Sequence, residues 1–177
     1  MPIRNELYNQ ALEIAGQFLF DHAGKMTAQL GFTYTPTETA PNTYLELEAA
    51  FGSSRLTGHP LPVSSTNAED VPYPDPGHIH ALRFYHDCTH VLAGLTFELA
   101  DEIQVSRIHV SDMVRYGLMP GDLAYKILHA DFAGQVMAQA LTRQFLPNQA
   151  QFIRESVELG HLEAVVRAVQ RQQGVSK

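Results

Sequence analysis

One cysteine, Cys88, stands among 177 residues. A lone thiol excludes an internal disulfide framework and any zinc site built mainly from thiolates, so a bound metal would have to be held by His, Asp and Glu. Basic residues are also scarce. The chain has 12 Lys and Arg against 19 Asp and Glu, a formal charge of −7. The cations are scattered rather than gathered into a stripe that could neutralise successive phosphates, which argues against nucleic acid as a partner. No apolar run approaches the roughly 20 residues that cross a bilayer; Val91 to Leu95 is among the longest. The opening Met-Pro-Ile-Arg-Asn-Glu-Leu has no basic start, apolar run or small-residue cleavage site. The expected location is the cytoplasm.

What the chain does have is enough apolar material for a core, 45% of residues, at a length that favours one domain over residues 1–177. Leu7, Ala11, Ile14, Ala15, Phe18 and Leu19 recur at helical period and predict a long first helix over Asn5 to Leu30. Pro36 and Pro41 break the pattern. Asn42 reads as the N-cap of a short helix reaching about Phe51, which Gly52-Ser53-Ser54 should end. Prolines at 60, 62, 72, 74 and 76 make Ser53 to Gly77 a long loop, placed to act as a lid or a substrate-facing segment. The remainder predicts helices over Ile79 to Leu95, Phe97 to Tyr116, Asp122 to Phe145, Asn148 to Leu159 and His161 to Gln173. Gly117, Pro120, Pro147 and Gly160 punctuate them. Strand-like runs are short, Phe32 to Thr35 being one. The expected architecture is an all-α, single-domain helical bundle with a long Pro-rich loop before the helix that carries the candidate metal site.

That helix carries His86-Asp87-Cys88-Thr89-His90. On an α-helix His86 and His90 lie about 40° apart and Asp87 about 100° from His86, so the three share a quadrant that one cation could occupy. Glu102 would lie about 18 Å beyond His90 on an unbroken helix. A bend near Gly94 and Thr96 is therefore required to bring it back, and Glu98 or Asp101 would replace it if the bend fell elsewhere. Two imidazoles and two carboxylates suit zinc and also accommodate manganese, iron or magnesium. Cys88 falls on the far side of the helix and reads as packing. His78 and His80 precede the motif as candidate acid or base groups. His129 and Asp131, with Asp122, are candidates to present a further carboxylate to the site.

As a string, His86-Asp87-Cys88-Thr89-His90-Val91-Leu92-Ala93-Gly94-Leu95 followed by Glu102 resembles the H-D-x-x-H-x(11)-E signature of the coenzyme Q biosynthesis protein 4 family. A looser likeness extends to Phe145-Leu146-Pro147. The resemblance implies an all-helical protein of ubiquinone biosynthesis, with a metal, usually zinc, on His86, Asp87, His90 and Glu102. It implies a role on the head group of a prenylated quinone precursor, at the step that replaces the ring carboxyl with hydroxyl, and apolar surface for a prenyl tail. It also implies association with itself or with other enzymes of that pathway, peripherally at a membrane surface. Two positions depart from the family. Thr96 stands where Pro is common and Asp101 where Gly is common, so the bend before Glu102 is weakly encoded.

Three other readings compete with this one. A His-Asp type metal-dependent phosphohydrolase would need an upstream His such as His59, His78 or His80, a downstream Asp such as Asp122 or Asp131, and basic residues for phosphate, of which only Arg83 is close. A non-catalytic lipid-binding scaffold would keep a closed, structural metal. A non-haem iron oxygenase would use two His and one carboxylate.

Overall fold

The computed structural model describes residues 3–143, 146 and 148–174. Helix α1 spans Asn5–Leu30, as the uninterrupted stripe predicts. Its buried face is shifted from the predicted one. Tyr8 and Leu12 join Ala11, Ala15, Phe18 and Leu19 inside, whereas Leu7 and Ile14 stay exposed.

Strand β1, Tyr34–Thr37, and strand β2, Leu61–Ser64, pair in parallel with Tyr34 opposite Leu61. Parallel neighbours need a crossover, and helix α2, Tyr44–Thr57, supplies it. Thr43, not Asn42, is its N-cap. The Thr43 hydroxyl accepts the Glu46 N–H at 3.3 Å and the Glu46 carboxylate accepts the Thr43 N–H at 3.2 Å, a closed capping box. Nor does Gly52-Ser53-Ser54 end this helix. It runs on to Gly58, which takes the left-handed turn at φ +76° and donates to the Ser54 carbonyl. The predicted loop over Ser53 to Gly77 therefore contains a helix end, a strand and the start of the next helix, at Pro76.

Helix α3 is Pro76–Ala93 and α4 is Leu99–Tyr116. Helix α5, Leu123–His129, passes through a π turn at Ala130–Gly134 into α6, Gln135–Thr142. Helices α7, Gln149–Leu159, and α8, His161–Gln172, complete the chain. The architecture is mostly helical, and among the described residues no helix is long and apolar enough to cross a membrane. The predicted helix end at Phe145 and opening at Pro147 lie outside the described residues.

Contacts divide the chain into two compact units, with the boundaries falling inside α1 and α4. One unit, within 16–69 and 73–105, packs α2 and α3 against the small sheet. Phe84 of α3 stacks 4.9 Å from Tyr34, and Phe32 meets Phe51 edge-on at 5.3 Å. Leu61 and Val63 alternate inward from β2 and are fully buried. The other unit, within 1–15, 70–72 and 106–177, is built on α7 and α8. Phe152, Ile153, Ala164, Val165 and Ala168 are buried there, and Arg154 lies 4.9 Å over the Tyr8 ring.

Candidate metal centre

Helix α3 starts three residues before the predicted Ile79 because Asp75 caps it and Pro76, with no N–H to lose, occupies its first turn. The Asp75 carboxylate accepts the Gly77 N–H at 2.6 Å. Eleven residues into this helix comes His86, with His90 one turn on, and their Nε2 atoms lie 3.0 Å apart. Glu102, in the first turn of α4, places Oε2 3.7 Å from His86 Nε2 and Oε1 3.6 Å from His90 Nε2. A tetrahedral cation with bonds of about 2.0–2.1 Å has ligand–ligand edges of about 3.3 Å. The three separations bracket that value, and these three residues form a group able to hold a metal ion.

The ring of His90 is set for this task. Its Nδ1 lies 3.0 Å from the Leu95 carbonyl oxygen, which can only accept, so Nδ1 carries the proton. In its neutral form His90 therefore turns the Nε2 lone pair toward His86 and Glu102. Metal-ligating histidines are oriented in this way by a partner on the other ring nitrogen. Phe97 packs edge-on against the same ring at 5.0 Å. His90 is fully buried, while the His86 and Glu102 side chains are 27% and 16% exposed, so these two keep part of the group in contact with solvent.

Burial and the neighbouring His90 hold the His86 imidazole down at about 4, against the opposing charge of Glu102. The ring is therefore uncharged at neutral pH. For His90, burial works in the same direction, but the hydrogen bond and charge of Glu102, the Leu95 carbonyl and Asp87 together raise its pKa above the usual value.

Asp87 does not join the group. The two imidazoles converge about 20° round the helix from His86, and the short Asp87 side chain leaves the axis about 80° from that direction. A shared quadrant does not bring a carboxylate of that length onto the same point as the two imidazoles. Burial, with Glu102 adding to it, pushes the Asp87 carboxyl up to about 7 although His90 and Arg83 oppose.

The bend is made where expected. Gly94 adopts φ +64°, and the Leu95 N–H returns to the His90 carbonyl at 3.0 Å, closing α3. Asp101 Oδ2 then accepts both the Thr96 N–H at 2.8 Å and the Thr96 hydroxyl at 2.7 Å. Thr96 and Asp101 are thus bonded to each other. Those bonds pull the Asp101 carboxyl below its ordinary range.

The remaining candidates fall elsewhere. Glu98 is exposed and Asp101 is taken by Thr96, so neither replaces Glu102. His78 is buried, bonded to the Asp75 carbonyl at 3.0 Å and stacked 4.2 Å from Phe20. A Cβ at Gly16 would meet its ring at 2.4 Å, which fixes it as a packing residue. His80 Nε2 is buried with no partner among the described residues, and burial first, then Arg83, lowers its pKa. His59 is exposed. Arg83 donates to the Ser64 and Thr66 carbonyls and so ties down the segment after β2. Cys88 is buried and its thiol is pushed far up by that burial, as a packing role requires. Asp122 accepts the Met119 N–H at 2.7 Å, and Asp131 is buried in the π turn. His129 pairs with His161 at 2.8 Å, a partnership across 32 residues that no spacing rule signals.

No protein-family model, curated protein or solved structure matches this chain.

Proposed function

We propose that the chain is a metal-dependent component of prenyl-quinone biosynthesis. In this reading zinc would be held by His86, His90 and Glu102 and would face the head group of a prenylated quinone precursor, at the oxidative step in which an external oxygen-atom donor supplies the hydroxyl and the ring carboxyl leaves as carbon dioxide. The observation that carries it is the convergence of two imidazole nitrogens and one carboxylate, with His90 locked by Leu95, at the spacing of the H-D-x-x-H-x(11)-E signature.

Three protein ligands, two of them in contact with solvent, leave a position for substrate, whereas a purely structural site would be closed by four. Two neutral imidazoles and one carboxylate leave a dication with one unbalanced positive charge, suited to an anionic head group. A cation bound there polarises a carboxylate or phenolate oxygen. Asp87, beside the centre with a carboxyl that titrates at about 7, holds or releases a proton near neutrality. Leu92, Leu99 and Ile103, on the same two helices, are exposed and give apolar surface to a prenyl tail.

The test is elemental analysis of protein purified without chelators, wild type beside His90→Ala, with lipids extracted from the same samples. One equivalent of zinc in the wild type, lost in the variant, is the expected result. Absence of metal from both defeats the centre. Metal present without any prenylated aromatic lipid keeps the centre and defeats the quinone assignment.

A further inference from the structure

A second constellation lies wholly within 106–177, apart from the metal centre. There a cleft of about 420 Å³ is lined by Lys126, His129, Ser156 and His161, with Pro120 and Val157 supplying apolar wall. That volume falls within the range of small-molecule sites. Tyr125 stacks on His129 at 5.7 Å, and His129 Nδ1 bonds His161 Nε2 at 2.8 Å with the two rings nearly coplanar. A π turn follows directly after His129, and such turns recur at functional sites.

Two features point to a ligand. Ser156 is 5% exposed, lines the cleft, and its hydroxyl has no hydrogen-bond partner among the described residues. A buried hydroxyl without a partner is costly unless something else satisfies it. Among the described residues of the lining, Lys126 contributes the only full charge and there is no carboxylate. The acidic residues of the adjoining helices are engaged with their own arginines, Glu155 with Arg171 at 2.8 Å, Glu158 with Arg154 at 3.3 Å and Glu163 with Arg167 at 3.0 Å. Among the described residues no ion pair involves Lys126. A chain of net charge −7 thus keeps one cation over a mostly apolar cleft that has hydrogen-bonding groups to spare.

We propose that this cleft binds a small organic monoacid, its carboxylate received by Lys126 and Ser156 and its apolar body lying against Pro120 and Val157. One lysine balances one negative charge; a phosphate dianion would need more cations than the lining offers.

The test follows the imidazole resonances of His129 and His161 by NMR during titration with benzoate and hexanoate. Benzamide, hexanamide and inorganic phosphate are the controls. The expected result is saturable shifts with the acids and not with the amides. Lys126→Met should weaken acid binding about tenfold or more, and Ser156→Ala by a smaller factor. Lys126 is exposed and Ser156→Ala removes one atom, so both variants should melt as the wild type does. His90→Ala should leave acid binding unchanged, which separates this site from the metal centre. The proposal is overturned by any of four results: no shift at millimolar acid, amides binding as tightly as acids, phosphate binding as tightly as benzoate, or indifference to Lys126→Met.

Discussion

At the scale of the residue, Asp87 shows what burial does to a carboxylate that misses its expected partner. Its folded pKa, pushed up mainly by desolvation to about 7, lies above the unfolded value of about 3.9. Between those two values the folded state holds a proton that the unfolded state has released, so stability falls as pH rises from about 4 to about 7 and levels off above. Asp87→Asn removes the titration and keeps the shape. The metal-free variant should melt higher than the metal-free wild type at pH 8 and show a shallower decline in melting temperature between pH 4 and 7. Equal pH profiles for the two proteins would show that Asp87 ionises freely in the fold.

At the scale of the element, the decisive piece is the turn between α3 and α4, because it alone decides whether Glu102 reaches the histidines. Proline and glycine would break the helix by removing a donor and by loosening the backbone. Thr96 and Asp101 do it instead by satisfying the N–H and hydroxyl of the turn from one carboxylate oxygen. Asp101→Ala should therefore lower metal affinity by about 10- to 100-fold, the range seen when groups that orient ligands are lost, while the helix content read by circular dichroism stays unchanged. The double variant Thr96→Pro with Asp101→Gly should recover most of that affinity. If Asp101→Ala binds metal as the wild type does, the pair is decoration and Gly94 alone makes the bend. This turn also marks where the sequence could be read and where it could not. The capping glycine, the helical period of α1 and the one-turn spacing of His86 and His90 are local signals, and each was legible. The Thr96–Asp101 bonds are not, since neither residue is a helix breaker and their pairing exists only once the bend has formed. The same holds for α2, whose passage through Gly52-Ser53-Ser54 depends on burying Phe51 and Ser54 rather than on local propensity.

At the scale of the whole molecule, long-range pairings are what the sequence withheld. The parallel register of β1 on β2 and the His129–His161 pair join residues 27 and 32 apart in sequence, and neither has a fixed-offset signature. The division into two compact units is of the same kind, since it cuts α1 and α4 where the helical period continues unbroken. It has a measurable consequence. All three metal-centre residues belong to the unit within 16–69 and 73–105. A ligand that binds the folded form alone stabilises it by about 2.7 kcal/mol at a free concentration 100 times its Kd, equivalent to about a 100-fold slowing of hydrogen exchange through that opening. If each unit opens cooperatively by itself, zinc should slow amide exchange throughout α3 and the first turns of α4 by roughly that factor and leave α7 and α8 near their metal-free rates. Exchange followed by mass spectrometry with and without zinc reads this directly. Equal slowing in α3 and α8 would mean that the chain opens only as a whole, and that the two units are divisions of contact and not of stability.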